Sequence, residues 1–152
     1  VIGTEGTVRS SSYTKAIKKL NSRASVFAKA CPLFVPLVEE GWLEHEVTKI
    51  AAREYIRPLL KNNIDTLVLG CTHYPLIKKV IAAAAGNKIK LIDSAQTAAN
   101  EVSETLAGLG ISNSSGKKGS YEYYVSDIPQ KFSEVACRFL GRSIKPVKKV
   151  VL

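Results

Sequence analysis

What this 152-residue sequence lacks narrows it quickly. No methionine occurs anywhere, position 1 included. A translated chain begins with one, and Val1-Ile2-Gly3 already has the character of a strand body, so the native start is expected upstream and the chain reads as a fragment. No apolar run approaches the roughly 20 residues that a bilayer-spanning helix needs. The opening Val1-Ile2-Gly3-Thr4 passes at once into polar residues, unlike a signal peptide, so no membrane partner is expected. The three cysteines, Cys31, Cys71 and Cys137, are odd in number and unpatterned in spacing, which argues against a disulfide framework and for a reducing, cytoplasmic setting. There is no phosphate-binding glycine loop of the P-loop or dinucleotide type, and no internal repeat. Only two histidines occur, His45 and His73. Neither they nor the cysteines have metal-site spacing, so no metal is expected.

What is present is a globular composition, 45% hydrophobic, with a formal charge of +9. The excess is terminal. Residues 1–31 carry six Lys/Arg against one acid and residues 117–152 carry eight against three, each stretch +5, whereas 32–93 contributes +1 and 94–116 contributes −2. Without a continuous basic stripe or an aromatic-interleaved basic motif, this pattern describes solvated faces and tails, not a nucleic-acid surface.

Read in order, Val1-Ile2 is a short strand followed by the turn Gly3-Thr4-Glu5-Gly6-Thr7. Its threonine hydroxyls can cap a helix or hold a carboxylate. Tyr13, Ile17 and Leu20 recur at helical spacing, opposite Lys15, Lys18 and Lys19. Residues 25–30 read as a buried strand ended by Cys31-Pro32. The apolar stretch 33–42, with two prolines and a glycine, reads as an irregular loop that packs on the core or roofs a cleft. In it Glu39 has apolar neighbours, Glu40 faces water, and Trp42 is expected to anchor in the core. A carboxylate such as Glu39 is either solvated or, in apolar surroundings, fitted for proton work or for pairing with a histidine. Residues 44–60 form an amphipathic helix with Val47, Ile50, Ala51, Tyr55 and Leu59 on one side. After it come the strand Leu67-Val68-Leu69, a helix from Pro75 to about Ala85, a strand near Lys88–Ile92, and a helix from the Asp93-Ser94 cap through Ala95, Ala98, Val102 and Leu106 to Gly110.

Strand and helix alternate, which predicts an α/β fold with a parallel sheet. A polar loop, 112–119, then precedes a strand at Tyr121–Ser126. A helix begins at Pro129 with Phe132, Val135, Ala136, Phe139 and Leu140 inward, and a final edge strand runs over 147–152.

The chemistry concentrates at Gly70-Cys71-Thr72-His73-Tyr74-Pro75, where a strand ends and a helix begins. In open α/β sheets this edge binds ligands, and a helix start adds N–H donors and the positive end of a dipole. A thiol beside an imidazole there could attack an acyl group. It could also transfer protons, since a thiol of ordinary pKa about 8.5 can be tuned toward neutrality.

Four segments in register carry a resemblance that narrows these options. They are Val1-Ile2-Gly3-Thr4-Glu5-Gly6-Thr7-Val8-Arg9-Ser10, Ala30-Cys31-Pro32-Leu33-Phe34-Val35-Pro36-Leu37-Val38-Glu39, Leu67-Val68-Leu69-Gly70-Cys71-Thr72-His73-Tyr74-Pro75-Leu76, and Leu91-Ile92-Asp93-Ser94-Ala95. Together they resemble bacterial glutamate racemases of the aspartate/glutamate racemase superfamily, across most of residues 1–110 and only loosely beyond.

The resemblance implies a parallel, sandwich-like α/β domain with helices on both faces, residues 1–93. Residues 94–152 would then be an incomplete returning segment of another α/β domain. It also implies cofactor-independent interconversion of L- and D-glutamate for peptidoglycan, by two cysteines that flank the α-carbon. Aspartate racemisation, or carboxylate binding without catalysis, are the alternatives.

Carried over by residue, Cys71 matches the cysteine acting on the L-glutamate side, His73 the histidine that assists it, and Glu39 the acid associated with that histidine. Thr4, Thr7, Thr72 and His73 match substrate-binding positions. The implied partner is the small-molecule substrate, with a homodimer as the assembly. The segment Ala-Cys-Asn-Thr that carries the family's other cysteine does not occur, nor does the Asp-Ser pair near the family's start. Cys31 precedes a proline and Cys137 falls on a predicted helix, so the 152 residues alone are expected to be inactive.

Overall fold

A computed structural model describes residues 1–144 and 146–151. They form two compact units, Val1–Gly108 and Leu109–Leu152.

The first unit is built on a four-stranded sheet of β1 (Ile2–Gly3), β2 (Lys29–Ala30), β3 (Thr66–Gly70) and β4 (Lys90–Asp93), in the order β2-β1-β3-β4. Every pairing is parallel, as the alternation of strand and helix predicts. The helices are α1 (Glu5–Ser10), α2 (Ser12–Leu20), α3 (Phe34–Glu39), α4 (Glu46–Leu60), α5 (Lys78–Ala85) and α6 (Ser94–Gly108). The step from β1 to β2 runs one way across the sheet, and those from β2 to β3 and β3 to β4 run the other way. Right-handed crossovers therefore place α1 and α2 on one face and α4 and α5 on the other, where those two pack on each other. The order reverses between β1 and β3, and the carboxyl ends of those two strands lie side by side, with Gly3 opposite Gly70.

The core joins Ile2, Leu67 and Leu69 of the sheet to Phe34, Leu37 and Val38 of α3, Ile56 and Leu59 of α4, and Ile77 and Ile81 around α5. Each such side chain, fully buried, is worth about 1.5–3 kcal/mol.

Several local expectations needed correction. Residues 33–42 hold a helix, because Pro36 stands at its third residue, where a backbone N–H has no intrahelical acceptor to lose. Of the strand expected over 25–30 only Lys29 and Ala30 pair. Their neighbour β1 is itself two residues long, and Phe27 stays exposed. Trp42, expected in the core, follows the positive-φ Gly41, is nearly half exposed, and lies against the His45 ring at 4.5 Å. α4 begins later than expected, at Glu46 with His45 as its cap. It buries Thr48, Ala51, Ala52, Ile56 and Leu59 and leaves Val47 and Ile50 outside. Thr48 is tolerated in the core because its hydroxyl donates to the Trp42 carbonyl. The helix that carries Tyr13, Ile17 and Leu20 starts after Ser11, which takes φ +55° and separates it from α1. α6 buries none of its residues.

The second unit pairs β5 (Tyr123–Val125) in parallel with β6 (Val147–Lys149), connected through α7 (Pro129–Leu140). Phe132, Phe139 and Leu140, expected inward on α7, are exposed, whereas Val135 and Ala136 are partly buried. The Arg142 guanidinium lies 4.9 Å over the Tyr121 ring and donates to the Tyr123 hydroxyl. Leu152, in the expected final strand, lies outside the described residues.

The β1–β3 contact demands glycine. A Cβ on Gly70 would stand 2.9 Å from the Ile2 carbonyl oxygen and 3.1 Å from the Tyr13 ring. Gly70→Ala is therefore expected to destabilise the chain by about 1–3 kcal/mol in denaturant titration. An unchanged midpoint would show that the strands have room to separate.

Candidate active site

The carboxyl ends of β1 and β3 each feed a turn, and these turns carry the residues singled out in the sequence. After β1, Thr4 caps α1, its hydroxyl oxygen accepting from the Thr7 N–H at 3.2 Å. The two hydroxyls also lie 3.0 Å apart, so one donates to the other. Capping consumes an acceptor site on Thr4, and the mutual bond consumes one of the two hydroxyl protons. The second proton can still donate to a carboxylate. Capping and anion binding, read as alternatives in the sequence, are compatible in this geometry.

After β3, Cys71, Thr72 and His73 form the turn, and a 3-10 turn over Tyr74–Ile77 leads into α5. His73 sits between two oxygens. Its Nδ1 is 3.4 Å from the Thr72 hydroxyl, and its Nε2 is 3.5 Å from Glu39 Oε1 on α3. The structure thus joins Glu39 to His73 and directs Glu40 to solvent. Both side chains of the pair are partly exposed, His73 at 22% and Glu39 at 33%, so the contact is reachable from outside.

The Cys71 thiol is half-buried. Loss of hydration raises its pKa, and the backbone N–H groups of His73 and Tyr74 offset part of that rise. The balance corrects the expectation of a thiol tuned toward neutrality, because desolvation outweighs the two N–H donors. Cys31 is buried completely, and desolvation pushes its thiol up to about 12. Cys137, on α7, is partly exposed. No cluster of three or more potential metal ligands occurs among the described residues.

At this edge a thiol, an imidazole held by a carboxylate, two threonine hydroxyls and a helix start meet where the strand order of a parallel sheet reverses. That set can bind an anionic group and move a proton at it. Residues 1–102 match the sequence profile of the Asp/Glu/hydantoin racemases. The chain belongs to that family.

Over its whole length this racemase-family chain is 50% identical to the glutamate racemases of Geobacter metallireducens and of Neisseria meningitidis serogroup A, covering 56% of each. The chain therefore spans about half the length of the curated relatives it matches. Its fold matches the crystal structure of Francisella tularensis glutamate racemase in complex with D-glutamate, with a TM-score of 0.89 and 35% identity, covering 99% of this chain and 56% of that one. It also matches the Thermus thermophilus glutamate racemase, at a TM-score of 0.86 and 38% identity over 99% of this chain and 55% of that one.

Two participants in the architecture of the site were not singled out in the sequence. Tyr74 is wholly buried beneath the turn, and the aromatic beside Pro75 was the available signal. Asp93 caps α6 through one carboxylate oxygen and pairs with Lys78 through the other at 3.2 Å, while the neighbouring Ser94 donates to the Leu69 carbonyl. Only the capping role of Asp93-Ser94 was legible beforehand.

Two outcomes are expected. Iodoacetamide should modify Cys71 with a pH midpoint above the ordinary thiol value of about 8.5, and should leave Cys31 untouched until the chain unfolds. A Cys71 midpoint near 7 would contradict the dominance of desolvation. Cys31 also makes stability depend on pH. The unfolded chain releases this proton near the ordinary value and the folded chain holds it to about 12. Its contribution is therefore full below the ordinary value and is lost as pH rises through that window, at up to about 1.4 kcal/mol per pH unit. Urea titrations from pH 8 to 10.5 should show this slope, and Cys31→Ala should reduce it.

Proposed function

We propose that this chain supplies one acid/base half of a glutamate racemase, with Cys71 as the thiol that works on the L-glutamate side. The observation that carries the reading is the position of Cys71 on a reachable sheet edge, beside a His73–Glu39 pair and next to the threonine turn. The relatives about 50% identical to the chain are named glutamate racemases, which favours glutamate over aspartate.

On this reading the substrate carboxylates are held by the Thr4, Thr7 and Thr72 hydroxyls and by backbone N–H groups where the chain turns into helix. The base on the opposite face takes the α-proton of D-glutamate, and the electron pair left on the carbon is delocalised into the adjacent carboxylate. Cys71, held in the thiol form by desolvation, delivers its proton to that carbon and yields L-glutamate. In the reverse direction its thiolate takes the α-proton and a second acid supplies the opposite face. His73 relays the proton to and from Cys71, and Glu39 steadies the imidazolium formed meanwhile. No cofactor enters this scheme.

Cys31 is excluded as the second thiol by its burial and its high pKa. We take the 152 residues alone to be inactive in racemisation, and the opposite-face acid to belong to the whole protein. Residues 1–93 are read as one racemase domain and 94–152 as the returning segment of another. The whole protein is placed in the cytosol, in the supply of D-glutamate to peptidoglycan, as a homodimer.

The whole protein in deuterated water should incorporate deuterium at the α-carbon of either enantiomer of glutamate. Cys71→Ala should reduce racemisation by at least about a thousandfold, since loss of one proton-transfer group typically costs 10²–10⁴ and here no other thiol serves that face. Racemisation that survives Cys71→Ala would overturn the assignment. Binding of glutamate without α-deuteration would favour a non-catalytic carboxylate-binding module.

A further inference from the structure

Tyr74 is the residue of the turn that points away from the edge, and every atom of its side chain is buried. Its hydroxyl donates to the Cys31 carbonyl, 43 positions earlier in the chain, at 3.3 Å. Its ring meets Phe34 edge-on, with centroids 5.1 Å apart, and Phe34 meets Tyr55 of α4 in the same way at 5.3 Å. Cys31 follows β2, and Phe34 opens α3, the helix that ends in Glu39. One side chain therefore ties the Cys71–His73 turn to the junction from which the Glu39-bearing helix departs.

We infer that Tyr74 is a positioning residue, whose hydroxyl and buried ring hold the backbone of the turn in place around Cys71 and keep His73 within reach of Glu39. This rests on the reading of Cys71 as an acid/base thiol, but it is testable without substrate.

The tether works by depth. A tyrosine ring in this slot is stopped at one end by the Cys31 carbonyl and along its edge by Phe34, so the turn that carries it can neither rise nor slide. The Tyr74 N–H donates to the Cys71 carbonyl at 3.2 Å, closing the turn around the thiol, and the backbone N–H groups of His73 and Tyr74 favour the thiolate against the desolvation that opposes it. A turn free to lift would lose that alignment before it lost the fold, because the remaining core contacts of α3 and α5 do not pass through the hydroxyl. The ionisable groups around the thiol are His73 and Tyr74 on its own turn, Cys31 after β2, and Glu39 on α3 through His73. Of these four, the one whose hydrogen bond joins the turn to the β2–α3 junction among the described residues is Tyr74.

Tyr74→Phe keeps the ring and removes the tether. In the 152-residue chain, the pH midpoint for alkylation of Cys71 should rise by about half a unit, so that the rate at pH 7.5 falls about threefold. A purely structural loss would lower the urea midpoint and leave that profile in place. An unchanged profile in a folded Tyr74→Phe chain overturns the inference.

Native-state hydrogen exchange on the unsubstituted chain supplies a second measurement, in case the variant does not fold. The His73 and Tyr74 amides should be protected to a degree comparable with those of β3, and exchange at the rate of exposed loop amides would overturn the inference. Absence of α-deuteration of glutamate by the whole protein would sink the racemase reading while leaving both of these results standing.

Discussion

The contact on which the rest depends is the parallel pairing of β1 with β3. Two strands can present their carboxyl ends side by side only if their backbones approach closely, and here Gly3 lies opposite Gly70 at the last pair of the register. Neither position has space for a methyl group, since a Cβ on Gly3 would stand 2.9 Å from the Thr7 side chain. Once this pair is made, the threonine turn and the cysteine turn are neighbours by necessity. The first residues beyond the glycines are Thr4 and Cys71.

Around that pair the fold trades solvation against hydrogen bonding. Burial keeps the Cys71 proton in place, and two backbone N–H groups moderate the effect without reversing it. Cys31, buried completely, shows what deeper desolvation does: it pushes the thiol up to about 12 although the Lys29 charge and a backbone N–H oppose it. The two thiols have the same chemistry and differ in what surrounds them, and of the two only Cys71 is reachable from outside.

Legibility from sequence followed the range of the forces involved. The parallel sheet, the strand ending at Gly70 and the Asp93 cap of α6 were readable, because alternation and capping are local patterns. The cysteine turn was legible both as a sheet-edge site and as a family motif. The pairing of Glu39 with His73 could be named only through resemblance, since nothing local says that a helix will bring residue 39 to residue 73. The helix at 34–39 is not legible locally, because proline breaks a helix everywhere except in its first turn, and only the fold shows that Pro36 stands there. Size alone assigns Trp42 to the core, whereas the positive-φ Gly41 before it turns the chain outward. The sign of the Cys71 shift was likewise beyond local reading, since it depends on what covers the sulfur in three dimensions.

Parallel pairing also has a consequence in time. No strand of the first sheet can pair with one near it in the chain, because each parallel partner lies across a crossover. Ile2 waits for Leu69 before their ladder exists. Closing so long a loop costs entropy that is recovered only when the ladder and the core beneath it form together. The edge that carries Cys71 is thus assembled late. During synthesis the threonine turn emerges well before the thiol it will face, so the two halves of this pocket cannot meet until the whole crossover has been laid down.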